Sequence, residues 1–179
     1  TARQDPTVPD TCPTLRRDGD QIVILDQTRL PWRETFVRLD SLEAAAAAIR
    51  DMQVRGAPLI GATAAYGLAI ALDFEASDTR LSEAVAVLGA TRPTAVNLHW
   101  ALTQMMACAR QHEADGAEAT TAALEEKAVA IHKADIAINT AMARFGADEL
   151  TFGPGVLTQK TFEGDRYLYR RTPLWTPPP

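Results

Sequence analysis

Two arginines of this chain each stand just ahead of a proline and the predicted start of a helix. One is Arg55, in Val54-Arg55-Gly56-Ala57-Pro58; the other is Arg92, in Thr91-Arg92-Pro93-Thr94. The chemistry this pattern offers is anion binding. The first amides of a helix have no partner inside it, and the helix dipole adds partial positive charge at that end. Gly56 permits close backbone approach to a ligand. Pro58 donates nothing, so the free donors expected at the first start are the amides of Gly56, Ala57, Leu59 and Ile60. Arg55 adds a charge-assisted, bidentate-capable contact. The alternative is a capped loop with Arg55 turned to solvent. Two such arginines can converge on one phosphate; the alternative for Arg92 is an ion pair with a nearby acid.

Other reactive side chains form weaker constellations. Asp135 and Asn139 lie one turn apart on an otherwise apolar helical stripe, where a carboxylate needs a partner. Bonding to a neighbouring helix end explains Asp135 more simply than a pocket does. His99, His112 and His132 share no metal-ligand spacing; His112 and His132 read as solvated and His99 as a packed helix residue. Asp26-Gln27-Thr28 reads as a turn in which a side chain bonds the backbone. Cys12 and Cys108 fit neither a metal site nor a disulfide framework. Nucleophile elbow, phosphate-binding loop and dinucleotide fingerprint are all missing from the sequence.

Composition narrows the partners. Of 179 residues 46% are hydrophobic and 23% charged, enough to bury a core, and the formal charge of −5 lacks the basic footprint of a nucleic-acid binder. Residues 56–72 carry no charge but fall short of a bilayer span and hold three glycines, so a buried helix is the better reading than a membrane segment. Cytosol is the expected compartment.

The elements that must position the arginines follow from periodicity. Residues 1–13 read as a disordered leader. Residues 14–39 read as a small antiparallel sheet of two or three strands, with Asp18-Gly19 as a turn, "QIVIL" as a strand and Thr35, Val37 and Leu39 sharing a face. A change to helical period follows, with a capping box at Asp40 and Glu43, and then a helix from Pro58 to about Leu72. Asp78 and Thr94 are expected to cap two more helices. A last long helix spans about 118–145, with Leu124, Ala128, Ile131, Asp135, Ile138, Met142 and Phe145 as one packing seam and Gly146 as its C-cap. The fold class expected is α+β: a small N-terminal sheet followed by a mainly helical bundle over 14–150. In the remainder, 151–179, a glycine-flanked strand start precedes a basic, aromatic tail.

The segments "ILDQTRLPW", "IRDMQVRGAPLIGATAAYGLAIAL", "ATRPTAVNLHWAL" and "DIAINTAMARFGADEL", in this order, resemble the methylthioribose-1-phosphate isomerases. That family lies in the superfamily that also holds the regulatory subunits of translation initiation factor 2B. The resemblance covers about residues 14–158. It implies a sheet-plus-bundle domain followed by a Rossmann-like domain, which this chain is expected to lack. It also implies conversion of the aldose 5-methylthioribose 1-phosphate to the ketose 5-methylthioribulose 1-phosphate in methionine salvage, with no metal or nucleotide cofactor, by a homodimer. Carried over by position, Arg55, Gly56, Ala57 and Arg92 hold the sugar-phosphate substrate. The sequence departs from the family after "GVLT" at 155–158: where the family continues with His-Cys-Asn and a catalytic cysteine, this chain has Gln159-Lys160-Thr161. The expectation is therefore a substrate-binding domain truncated before its catalytic groups and inactive alone. The other expectation to be weighed is a non-catalytic sugar-phosphate-sensing or assembly module.

Overall fold

The computed structural model describes residues 14–18, 21–73, 76–149, 158–163 and 166–171. Three short strands, β1 (Leu15–Asp18), β2 (Gln21–Leu25) and β3 (Phe36–Leu39), form an antiparallel sheet in that order. Leu15 stands opposite Ile24, Ile24 opposite Val37 and Ile22 opposite Leu39, so these five share the face turned to the core. On the other face the Arg16 guanidinium lies 4.8 Å from the centre of the Phe36 ring.

Five helices follow: α1 (Leu42–Arg50), α2 (Ala57–Asp73), α3 (Asp78–Thr91), α4 (Val96–His112) and α5 (Ala117–Glu149), with a 3-10 turn at Glu113–Asp115 between the last two. A second antiparallel pair, β4 (Thr158–Glu163) and β5 (Arg166–Arg171), comes after them. Pro13–Asp135 forms one compact unit, and the described residues from Ile136 onward belong to another. The α+β class expected from the sequence is the class observed.

Helix starts depart from expectation by about one residue. Ser41, not Asp40, caps α1, because Ser41 O receives the first helical bond from the Ala45 amide and its Oγ accepts from the Ala44 amide at 3.1 Å. For the same reason Ser77, not Asp78, caps α3. Thr94 caps nothing: Pro93 and Thr94 lie in a turn closed by the Ala95 amide on Arg92 O, and α4 starts behind Ala95 with no side-chain cap. Gly146 is not a C-cap either, since α5 runs on to Glu149.

The core centres on α2. Every residue from Ile60 to Ala69 is buried, so this helix is apolar on all sides and wrapped by α1, α3 and α4. Glycine permits the closest contacts: a Cβ at Gly61 would lie 2.9 Å from Asn97 O, and one at Gly67 would lie 2.6 Å from the Ala45 Cβ. Gly89 in α3 is different, because a Cβ there would meet nothing nearer than 3.6 Å.

The α5 seam is packed only in its first half. Leu124, Ala128 and Ile131 are buried, whereas Ile138, Met142 and Phe145 are 59%, 58% and 73% exposed. The stripe read as one packing surface therefore outruns the elements it packs on among the described residues.

These contacts set opposite expectations for two glycines. Gly67→Ala should lose about 1–3 kcal/mol of stability, despite gaining helix propensity, because Ala45 has no flexible end to move aside. Gly89→Ala should be neutral or gain up to about 1 kcal/mol. Urea denaturation of both variants checks this; equal losses would contradict the packing described.

Candidate functional site

Arg55 and Gly56 sit in the bend between α1 and α2. Val54 is buried and anchors the bend, Arg55 is exposed, and Gly56 adopts φ 95°, a left-handed conformation that favours glycine. The Arg55 Nε donates one long bond, 3.4 Å, to Met52 O. The rest of the guanidinium has no partner among the described residues. Of the four amides expected free, Ile60 is not: it donates to Gly56 O at 3.0 Å and closes the first helical turn. The amides of Gly56, Ala57 and Leu59 have no acceptor among the described residues.

Helix packing brings the start of α4, which follows the Arg92 segment, against the first turns of α2. Gly61 lies one turn into α2 and its Cα faces the Asn97 carbonyl and Ala101 side chain of α4. Asn97 is the second residue of α4, so both helix starts lie within about one turn of the crossing. Arg92 is half-buried and makes no ion pair among the described residues. Because α4 has no side-chain cap, the Val96 and Asn97 amides are also without an acceptor among the described residues. His99 does not point into a site: its Nε2 donates to Pro93 O at 2.9 Å and pins the Arg92-Pro93-Thr94 turn to the first turn of α4.

A third segment buttresses the bend. Asp26 is 5% exposed, and its Oδ1 accepts from the Thr28 amide at 3.0 Å and the Thr28 hydroxyl at 2.6 Å, the turn chemistry expected. The Gln27 amide then donates to Gln53 O at 2.9 Å, tying this loop to the residues just before Arg55. The loop carries a cis Leu30–Pro31 peptide and a Trp32 that is 87% exposed. Met52, Val96 and Trp100, from the adjoining segments, are exposed too. What the arrangement offers chemically is five uncommitted amides, two guanidinium groups and bordering apolar side chains. The surface is open; the better-formed concavity, about 520 Å³, lies at the far end of α2 and includes none of these residues.

Sequence patterns missed one polar pair. His132 is half-buried rather than solvated, and its Nδ1 shares a 3.2 Å hydrogen bond with the hydroxyl of buried Tyr66, the rings meeting edge to face. Tyr66 inside an apolar helix was the available signal, since a buried phenol usually finds a polar partner. Burial pushes the Tyr66 hydroxyl up, with Arg17 opposing. Burial likewise pushes His132 down, with Asp135 opposing.

Among the described residues no three His, Cys, Asp or Glu side chains are placed to share a metal ion, and no helix is long and apolar enough to cross a membrane.

The profile of the Initiation factor 2 subunit family matches residues 53–161, which include both arginine segments. The chain belongs to this family. Within it, the methylthioribose-1-phosphate isomerase of Dechloromonas aromatica is 61% identical over 135 residues, covering 74% of this chain and 36% of that protein. The isomerase of the same name from Thermosipho africanus is 41% identical over 151 residues, 81% of this chain and 43% of that protein. The crystal structure of 5-methylthioribose 1-phosphate isomerase from Pyrococcus horikoshii OT3 superposes with a TM-score of 0.72 at 32% identity, covering 78% of this chain and 41% of that one. The translation initiation factor eIF-2B delta subunit from A. fulgidus gives 0.70 at 30%, with 78% and 42% covered. The chain thus spans well under half the length of the relatives it matches.

The His132 environment predicts a pH effect. A lowered folded value means the folded chain binds this proton less readily than the unfolded chain. Its contribution is then fully present above the ordinary histidine value of about 6.5 and is lost as pH falls below it. The urea midpoint should drop between pH 7.5 and 5.5, and His132→Gln should flatten that drop. Superimposable pH profiles for the two proteins would contradict it.

Proposed function

We propose that this chain is the substrate-holding part of an aldose–ketose isomerase that converts 5-methylthioribose 1-phosphate to 5-methylthioribulose 1-phosphate in methionine salvage. The observation that carries the reading is the meeting of two uncapped helix starts at the Gly61–Asn97 crossing, each preceded by an uncommitted arginine. Relatives named methylthioribose-1-phosphate isomerase support the substrate.

In this reading the substrate phosphate lies against the amides of Gly56, Ala57 and Leu59, with Arg55 and Arg92 as its counter-charges. The exposed Trp32, Met52 and Val96 border the place where the apolar methylthio end of the sugar would lie. A phosphate on the anomeric oxygen blocks simple ring opening, so isomerisation requires an acid and a base to open the ring and move hydrogen from C2 to C1. No such pair stands beside the cradle among the described residues, and Gln159-Lys160-Thr161 replaces the family's His-Cys-Asn. The chain as given binds its substrate without turning it over. Residues 14–150 act as the binding domain, in a cytoplasmic homodimer.

A second reading is a sugar-phosphate-sensing module without catalysis. The comparable likeness to the initiation factor subunit from A. fulgidus favours it. Affinity for the sugar phosphate is common to both readings; turnover after the remainder of the isomerase sequence is supplied separates them.

Calorimetric titration with 5-methylthioribose 1-phosphate tests the cradle. Arg55→Ala and Arg92→Ala should each weaken binding about tenfold or more, equivalent to at least about 1.4 kcal/mol. An isomerisation assay on the chain should give no turnover above background. Unchanged affinity in both variants would overturn the anion site, and measurable turnover would show that the reacting groups lie within this chain.

A further inference from the structure

The bend between α1 and α2 holds two left-handed residues, and one of them is a methionine. At the end of α1 the Met52 amide donates to Ile49 O at 3.3 Å and the Gln53 amide to Ala48 O at 3.0 Å. These are the paired bonds of a Schellman motif, which needs a left-handed residue just past the cap. Glycine suits that position, because any Cβ there crowds the following carbonyl. Met52 occupies it at φ 59°. The other positive-φ positions among the described residues, Gly56 and Gly116, do hold glycine.

The fold draws no benefit from the Met52 side chain. It is 42% exposed and lies outside the buried core. The bend is held without it: the Asp51 and Val54 amides also bond back into α1, Gln53 O accepts from the Gln27 amide at 2.9 Å, and Val54 is buried. A glycine at 52 would keep each of these bonds and relax the backbone. A residue unsuited to its backbone and unused by the core marks a functional constraint. Met52 also belongs to the candidate site, since its carbonyl accepts from the Arg55 Nε at 3.4 Å. The charge offered to the phosphate is thus held against the residue that carries the exposed thioether.

We propose that Met52 is a specificity-determining residue, kept in a strained backbone conformation so that its side chain covers the methylthio end of the sugar phosphate. The proposal rests on the reading of the Arg55 and Arg92 helix starts as a phosphate cradle. An unbranched, polarizable thioether moulds itself to a small apolar group. A sugar phosphate with a hydroxyl in place of the methylthio group leaves that contact unmade. The discrimination therefore comes from a side chain whose removal stabilises the fold.

The test compares the chain with its Met52→Gly and Met52→Leu variants. Each is denatured with urea and titrated calorimetrically with 5-methylthioribose 1-phosphate, ribose 1-phosphate and inorganic phosphate. Met52→Gly should raise the urea midpoint, whereas Met52→Leu, which keeps a Cβ at the left-handed position, should leave it near that of the unsubstituted chain. The unsubstituted chain should bind 5-methylthioribose 1-phosphate about tenfold or more tightly than ribose 1-phosphate. Met52→Gly should lose this preference while holding ribose 1-phosphate and inorganic phosphate as before, and Met52→Leu should retain it. An undiminished preference in Met52→Gly, no preference in the unsubstituted chain, or equal weakening of all three ligands would overturn the proposal and leave the cradle standing. A lowered urea midpoint in Met52→Gly would overturn it too, by making Met52 a packing residue. Failure of all three ligands to bind the unsubstituted chain would instead remove the cradle, and the proposal with it.

Discussion

The close crossing of α2 and α4 at Gly61 is the constraint on which the candidate site depends. No side chain separates the two backbones there: a Cβ on Gly61 would stand 2.9 Å from the Asn97 carbonyl, closer than packed atoms tolerate. That contact involves the second residue of α4, so the approach fixes where two helices begin, beyond fixing how their middles pack. Two helix starts whose first amides lack acceptors among the described residues, each preceded by an arginine, then stand close to one crossing. Below the crossing, α2 is buried on every side, so the ends are held by a core with little freedom to shift.

Charge and burial distinguish the two ends of α2. At its N-terminus the dipole, Arg55 and the left-handed Gly56 favour an anion. At its C-terminus the Arg80 Nε donates to Ala71 O at 3.3 Å, so a cation of the chain itself already meets the negative end of the dipole. The middle supplies rigidity alone, through small residues that let α1 and α4 approach.

Much of this was legible in the residues. The β-branched run "QIVIL" and the alternation of Val37 and Leu39 announced a sheet, and Arg55-Gly56-Ala57-Pro58 announced a helix start. The Asp26 turn was also readable, because a short carboxylate followed by threonine bonds locally. Caps were misplaced where two candidates adjoin, as at Asp40/Ser41 and Asp78/Ser77: either side chain can accept, and only the first helical carbonyl decides. The α5 seam misled for a different reason. Periodicity records that Ile138, Met142 and Phe145 share a face, but not whether anything lies opposite. His132 was misread because its partner, Tyr66, is 66 residues distant, and no local pattern reports such a pairing. The same limit hid the concavity at the far end of α2, assembled from three strands and two helices.

The central claim is that the starts of α2 and α4 form a single anion cradle, and amide chemical shifts of the 15N-labelled chain during titration with inorganic phosphate test it most directly. The account predicts saturable shifts at Gly56, Ala57 and Leu59 in α2 and at Val96 and Asn97 in α4, all following one dissociation constant. Shifts confined to one helix start, or two sets of amides titrating with unrelated constants, would contradict it.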